Sequence, residues 1–240
     1  MTVDPLASLL ALEGVPSGFA AARDGIDTML RDRGLRRTSP ELTAESLLRG
    51  AWASAVLEGS ASSLEETRSG AGDDIAQASV RVSTEVLGLV PVLKSSPLQA
   101  FARLHTLAGG GSLPTEELGR PRDAESASRL QVLASRLREE TSAPAMLVAA
   151  IVHADLATSA PFASHNGIVA RAAERLVLVA RGVDEKSLLV PEEGHRLLRG
   201  EYESNLRAYA GASGSSGVHA WLRYAAEAYA KGAEASPVRG

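Results

Sequence analysis

The chain has 240 residues, 45% of them hydrophobic, and a formal net charge of −4. This length and apolar content supply a substantial core, and the negative charge excludes a global attraction to nucleic acid or to an anionic membrane. The chain has no cysteine, which excludes disulfides, thiolate catalysis and zinc–cysteine sites. Because the N-terminus shows no basic leader and no apolar run reaches about 20 residues, we expect a cytoplasmic protein.

The composition predicts an all-α fold. Aromatic residues make up only 4% of the chain, and alanine, leucine, valine, glycine and arginine dominate, a mix that favours helices packed closely through small side chains. We expect one domain over 1–240, divided into N-terminal helices at 1–38, a separate helix at 39–59, a core at 73–210 and a C-terminal helix at 218–232.

Apolar spacing, proline and glycine predict the helices of the first half. In chain order they are 5–36, in one or two pieces around Gly14 and with a stop at Gly34; 39–59, opened by Pro40; a short helix within 62–72; 73–91, with a stop at Pro91; and 96–109, ended by the glycines at 109–111.

The second half begins with a loop over 109–122, whose length is more typical of functional loops than of connections. A charged surface helix follows at 123–140. Two helices with little charge, one from Pro144 and one after Asn166, predict a buried central hairpin. The remaining helices are 191–209 and 218–231, and the aromatic residues of the last one are candidates for a homodimer contact: Trp221, Tyr224 and Tyr229.

The stretch that we expect to carry the function runs from 159 to 181. It combines a Pro-Phe loop, a polar turn at 164–167 and a mostly apolar helix whose first charge is Arg171. A helix start presents free N–H groups at the positive end of the helix dipole, which is where proteins bind phosphates. We therefore expect a nucleotide or phosphate pocket here, formed by Ser164, His165, Asn166, Gly167 and Arg171.

This stretch resembles the central motif of the Fic family, H-x-F-x-[D/E]-G-N-G-R-x-x-R, which reads A-P-F-A-S-H-N-G-I-V-A-R from Ala160 to Arg171. The segment RLHTLAGGG at 103–111 and the apolar helix before the motif are also similar to the family. The resemblance implies a compact all-α Fic bundle, typically one that transfers AMP from ATP to a protein hydroxyl. It makes Ala160, Pro161 and Phe162 the scaffold of the motif loop.

A second segment is similar to the family's inhibitory helix, [S/T]-x-x-x-E-[G/N]. It comprises Ser54, Glu58 and Gly59. The resemblance implies that Glu58 reaches Arg171 and blocks productive placement of the ATP γ-phosphate. Such a pair is physically consistent, because either charge would be costly alone in a dry site.

The motif departs from the family at the positions that do chemistry. The catalytic His corresponds to Ala160, which has no titratable group. The acid that holds Mg²⁺ corresponds to Ser164, a poor ligand for a hard cation. The first motif glycine is His165 and the first motif arginine is Ile168. The family's target-docking flap, expected between 112 and 130, is short or absent.

Several of these residues also have ordinary structural interpretations. His165 is either a replacement base or a loop residue that caps the helix start, and the second is favoured. Arg171 is either a phosphate or Glu58 partner, or a surface charge beside Glu174 and Arg175. His153, in an apolar helix, is expected to be a core residue bonded to a backbone carbonyl.

Two hypotheses follow. In the first, the chain is a degenerate Fic-like regulatory or scaffold protein that binds a nucleotide or phosphate, without standard AMP transfer. In the second, it is an enzyme with altered phosphoryl, nucleotidyl or hydrolytic chemistry, with His165 or Glu58 as the base. ATP or another nucleotide is the expected ligand and a protein the expected partner; nucleic acid, membrane and a resident metal are not expected.

Overall fold

The computed structural model describes residues 4–31, 40–211 and 215–239. A 3-10 turn at Ala7–Ala11 precedes helix α1, Val15–Leu30. Gly14 lies just before α1 with a left-handed φ of 76°, which explains the break expected there. The expected stop at Gly34 and the first residue of the expected helix at 39–59 lie outside the described residues.

The helices of the first half follow the predicted order. They are α2 (Pro40–Leu57), α3 (Leu64–Ser69), α4 (Asp74–Glu85), α5 (Val90–Ser95) and α6 (Pro97–Gly109). The expected helix from 73 to a stop at Pro91 is wrong: α4 ends at Glu85, a 3-10 turn spans Val86–Leu89, and Pro91 lies in the first turn of α5. A proline's missing N–H costs no helical hydrogen bond there.

The second half contains α7 (Ala124–Arg138), α8 (Ala145–Ser159), α9 (Asn166–Ala180), α10 (Pro191–Leu197), α11 (Arg199–Gly211) and α12 (Ser216–Glu234). The predicted helix at 191–209 is thus two helices. They meet at Leu198, whose φ and ψ of −108° and 36° depart from helical values. The described residues contain no strand, and residues 110–123 form a loop with no hairpin flap.

The α8–α9 hairpin lies at the centre of the described structure. Every residue of α8 from Met146 to Ala154 is buried, as its lack of charge predicts. Helix α9 is buried over Ile168 to Leu178, and this run includes three charged residues, Arg171, Glu174 and Arg175. A core helix that carries charges needs partners for each of them, and these partners define the candidate site.

Helix α12 corrects the expected dimer contact. Its aromatic residues Trp221, Tyr224 and Tyr229 are 0%, 6% and 0% exposed, because they pack inward against the hairpin. Trp221 donates from Nε1 to the Ala150 carbonyl at 2.8 Å. These rings therefore belong to the core and offer no surface to a second copy. None of the described helices is both long and apolar enough to span a membrane.

Candidate functional site

The loop between α8 and α9 is closed by Asn166. The Phe162 N–H donates to Asn166 Oδ1 at 2.9 Å, and Asn166 Nδ2 donates back to the Phe162 carbonyl at 3.0 Å. Two residues of the loop have left-handed backbone, Ala160 with φ 42° and His165 with φ 57°. Non-glycine residues adopt this conformation only where the surrounding structure enforces it, so the loop is tightly specified.

Phe162 anchors the loop to α6. Its ring is 1% exposed and stacks on His105, with centroids 4.3 Å apart and planes 8° apart. His105 Nδ1 accepts a hydrogen bond from the Gly119 N–H at 3.0 Å, so the same ring also holds the loop after α6. Burial, with a smaller contribution from nearby His165, lowers the pKa of His105 to about 4.

The start of α9 lies directly against Glu58. A Cβ on Gly167 would stand 2.0 Å from Glu58 Oε1, so only a glycine leaves room for this carboxylate. Glu58 comes from the end of α2, where Gly59 turns the chain away with a φ of 97°. The positive end of α9 therefore faces a negative group supplied by the chain itself.

Arg171 lies one turn into α9 and is 1% exposed. Its Nη2 donates to Glu58 Oε1 at 2.8 Å and to the Ser54 carbonyl at 3.1 Å, and its Nε donates to Ser54 Oγ at 2.9 Å. Its Nη1 donates to the Tyr202 hydroxyl at 3.0 Å. Burial alone would lower the pKa of Arg171, but Tyr202 and Glu58 raise it above its ordinary value. Ser54, Glu58 and Arg171 thus meet, and Arg171 is not a surface charge.

Ser164 and His165 form a separate contact at the turn. Ser164 Oγ lies 2.5 Å from His165 Nδ1, and the His165 side chain makes no capping bond to α9. His165 is thus the half-buried N-cap residue of α9, as the favoured interpretation expected, although its side chain makes no capping bond. Burial is the main cause that lowers the pKa of His165, and the charge of Arg81 lowers it further. The Glu58 carboxylate acts in the opposite direction but is outweighed, so the neutral imidazole is favoured.

The polar side chains at the altered motif positions already have partners. The hydroxyl of Ser164 is taken by His165, and the carboxylate at this helix start, Glu58, is taken by Arg171. Ile168, at the position of the first motif arginine, is 2% exposed and packs into the core. Since Mg²⁺ prefers free carboxylate oxygens, this set does not fit the ion in the family's manner.

Behind Arg171 lies a buried cluster centred on Glu174. Glu174 Oε2 is 2.9 Å from both His153 Nδ1 and His195 Nε2, and Oε1 accepts from the Tyr229 hydroxyl at 2.8 Å. His153 therefore binds side chains, not the backbone carbonyl that we expected. Burial lowers the pKa of His153 to about 4. Burial alone would raise the pKa of Glu174, but His153 and His195 hold it below its ordinary value.

Two residues near the site had no sequence signal. Tyr202 reaches Arg171 from α11, 31 positions along the chain. Arg81 reaches the C-terminal end of α6 from α4, where its Nε and Nη2 donate to the Leu107 and Ala108 carbonyls at 3.0 Å each. No local spacing connects either residue to the motif, so only the tertiary structure could identify them.

The comparisons with known proteins support the fold. No protein-family model matches the sequence, and no curated protein does. A Fic family protein from Desulfovibrio desulfuricans G20 superposes with a TM-score of 0.75 at 17% identity, over 93% of this chain and 74% of that one. Fic-1 from C. elegans gives 0.71 at 19% identity, over 96% and 72%, and a variant of the same fragment with glutamate replaced by glycine gives 0.69. The chain therefore has the all-α Fic fold, and the resemblance is confirmed at that level.

Proposed function

We propose that the chain is a nucleotide- or phosphate-binding regulatory or scaffold protein of the Fic fold that lacks standard AMP transfer. The observation that carries this proposal is the position of the Glu58 carboxylate, on Arg171 Nη2 at 2.8 Å and against Gly167 at the start of α9. A carboxylate and a phosphate oxygen have the same partners, charged N–H donors and a helix N-terminus. Glu58 therefore occupies an anion site and holds it closed.

The N–H groups of Arg171 support a site that can bind an anion when Glu58 moves away. A guanidinium has five N–H donors, and Ser54 and Tyr202 take three of them, leaving the bond to Glu58 and one Nη1 hydrogen. Nη1 lies 3.2 Å from where a Cβ on Gly167 would stand. When Glu58 leaves, one hydrogen on each terminal nitrogen becomes available beside the helix start. That pair suits a bidentate phosphate contact.

The lack of a base at Ala160 and of a docking strand supports binding of a nucleotide without transfer of AMP. Ala160 offers no proton acceptor at the position that the family uses to deprotonate the target hydroxyl. The loop over residues 110–123 contains no strand that could pair with an extended target segment. A ligand held at α9 would thus regulate a protein partner through the position of Glu58 and α2.

Calorimetry with ATP and with inorganic pyrophosphate tests the binding step. We expect both to bind the native chain and Arg171→Met to lose binding, whereas Arg129→Met, which removes an exposed arginine of α7, leaves it unchanged. If Arg171→Met does not fold, Ser54→Ala, which removes one contact to the guanidinium, should weaken binding in a folded protein. Equal affinity of native chain and Ser54→Ala would contradict the proposal.

Labelled ATP separates binding from transfer. With ATP and magnesium, the native chain should label neither itself nor a target extract. The combined substitution Ala160→His, Ser164→Asp and Ile168→Arg supplies the missing base, acid and arginine and is the change expected to restore labelling. Transfer of label by the native chain would overturn the proposal.

A second function is favoured by the contact between Ser164 and His165. The Ser164 hydroxyl lies against a ring nitrogen of His165, as a nucleophile lies beside its base. His165 Nδ1 would take the Ser164 proton while Oγ attacks the α-phosphorus of ATP; a P–O bond breaks, pyrophosphate leaves and AMP stays on Ser164. Glu58 is a poorer base than His165 here, because its carboxylate is engaged by Arg171.

Mass spectrometry distinguishes the two functions. The second predicts AMP on the peptide that contains Ser164, its loss in Ser164→Ala and His165→Gln, and its retention in Ser159→Ala, a nearby serine whose hydroxyl bonds the Asp155 carbonyl. An unmodified peptide in the native chain would exclude this second function and leave the binding role.

A further inference from the structure

A chain of hydrogen-bonded side chains leads from Arg171 into the core. The Tyr202 hydroxyl lies 3.0 Å from Arg171 Nη1 and 3.0 Å from His153 Nε2, and the opposite nitrogen of His153 faces Glu174. Tyr202 is 5% exposed, and His153 and Glu174 are 0% exposed. Because these side chains are shielded from bulk solvent, each proton in the hydrogen-bond chain has a defined place.

The direction of the protons follows from Arg171. An arginine can only donate, so the Tyr202 oxygen accepts from Nη1 and its own proton must go to its other partner, His153 Nε2. Nε2 is therefore an acceptor, and the ring proton of neutral His153 lies on Nδ1, where it donates to Glu174 Oε2. An imidazolium at His153 would aim a second donor at the Tyr202 oxygen and leave the Tyr202 proton without an acceptor.

This proton order also decides how to interpret the His153, Glu174 and His195 cluster. Its three ligand-type atoms lie within 4.8 Å of one another, and two imidazoles with a carboxylate can bind zinc. Here Nδ1 of His153 is committed as a donor by the chain that starts at Arg171. The cluster is thus a hydrogen-bonded support for Tyr202, and we assign it no metal.

We propose that Tyr202 is a positioning residue for the anion site, with its hydroxyl fixed by His153 and Glu174. This inference rests on the proposed function. It names the residues that orient the Arg171 guanidinium after Glu58 has moved away. Ser54 holds one edge of the guanidinium through Nε and Nη2, and Tyr202 holds Nη1. With both in place the remaining N–H groups point to the α9 start; without Tyr202 the guanidinium can rotate about the Ser54 edge.

The cluster contains a matched control. Tyr224 does for His195 what Tyr202 does for His153: its hydroxyl lies 2.7 Å from His195 Nδ1, and the opposite nitrogen of His195 faces the same Glu174 oxygen. Tyr224 is 6% exposed, close to the 5% of Tyr202. Of the two tyrosines, only Tyr202 contacts Arg171. If both had a purely structural role, replacing either one should have the same effect on ligand affinity.

The experiment measures pyrophosphate affinity by calorimetry in a Glu58→Ala background, in which the site is open. We expect Tyr202→Phe to weaken binding by about tenfold and Tyr224→Phe to change it by less than about twofold, with similar losses of thermal stability. Equal affinities for the two variants would overturn the positioning role. Failure of the Glu58→Ala parent itself to bind pyrophosphate would instead overturn the proposed function.

A second measurement uses the native chain and does not depend on the variants folding. Nitrogen NMR of the labelled histidines should show His153 protonated at Nδ1 and unprotonated at Nε2. A signal from a protonated Nε2 on His153 would show that the hydrogen-bond order from Arg171 is different and would contradict the inference. Zinc at one equivalent in the purified native chain would contradict it as well, since the cluster would then be a metal site.

Discussion

The Glu58 carboxylate and the Arg171 guanidinium meet at 2.8 Å across 113 positions of sequence. Arg171 is 1% exposed, whereas the Glu58 side chain is 31% exposed. The pair is therefore asymmetric: the arginine is fixed in the core by Ser54 and Tyr202, and the glutamate is the partner that can leave. A site closed by its own displaceable anion needs one fixed and one mobile partner, and Arg171 and Glu58 meet this requirement.

Gly167 should be essential for this contact. In Gly167→Ala the new Cβ would stand 2.0 Å from Glu58 Oε1, so the flexible glutamate must move away from Arg171. We expect a loss of about 1–3 kcal/mol of stability from the broken pair, partly offset by about 0.5–1 kcal/mol from replacing a helical glycine. Thermal denaturation measures the net change.

The control is Gly25→Ala in α1, where a Cβ meets nothing within 4 Å. This variant should gain about 0.5–1 kcal/mol. An equal gain at both glycines would show that Glu58 contributes nothing at the start of α9.

Arg175 and Glu192 form a second buried pair with a different role. Their side chains are 4% and 5% exposed and join through two bonds, at 2.8 Å and 2.5 Å. Glu192→Gln leaves a buried cation without its counter-charge and should cost about 3–5 kcal/mol. Urea unfolding measures this loss, and pyrophosphate affinity of the folded variant should be unchanged.

The substitution Glu203→Gln in α11 is the control. Glu203 pairs with Arg199, and the two side chains are 46% and 49% exposed, so its loss should cost less than about 1 kcal/mol. A comparable loss of stability in the two variants would contradict the assignment of Arg175 and Glu192 as a core pair.

Acidification should destabilise the protein well above pH 4. Burial lowers the pKa of both His105 and His153 to about 4, below the ordinary value of about 6.5. Between these values the unfolded chain binds protons that the native chain does not, so stability falls as pH falls. Each histidine contributes up to about 1.4 kcal/mol per pH unit.

Urea unfolding at pH 7, 6 and 5 tests this sign. His105→Gln should show a shallower fall than the native chain, because one of the two groups is gone. A stability that is constant or rises from pH 7 to pH 5 would contradict the buried, neutral state of these rings.

The sequence predicted most of the helices from local signals, namely apolar periodicity, proline and glycine. The pairing of Glu58 with Arg171 was implied by the resemblance of two short segments to a known family, since spacing alone does not connect residues 113 positions apart. The sequence did not predict that Glu174 and Arg175 also lie inside the core. The spacing of α9 gives no indication of their partners, since His153 and Glu192 come from two other helices, and it did not show that Tyr202 is a further partner of Arg171. For the same reason the sequence did not show that the aromatic residues of α12 are buried, and they were expected to form a dimer contact.

The local pattern was also insufficient at the turn itself. His165 is the N-cap residue of α9, as its position suggested, but its ring lies against Ser164 and makes no capping bond. Its left-handed backbone lies in a loop that Asn166 and Phe162 close, and spacing does not encode these contacts.

The most direct test of the account is the affinity of inorganic pyrophosphate for the native chain and for Glu58→Ala, measured by calorimetry at pH 7.5. Glu65→Ala, which removes an 81% exposed glutamate of α3, serves as the control. Removal of an internal competitor worth about 1.4 kcal/mol predicts that Glu58→Ala binds at least about tenfold more tightly than both other proteins. Equal affinity in all three, or no binding by Glu58→Ala, would contradict the claim that Glu58 occupies an anion site.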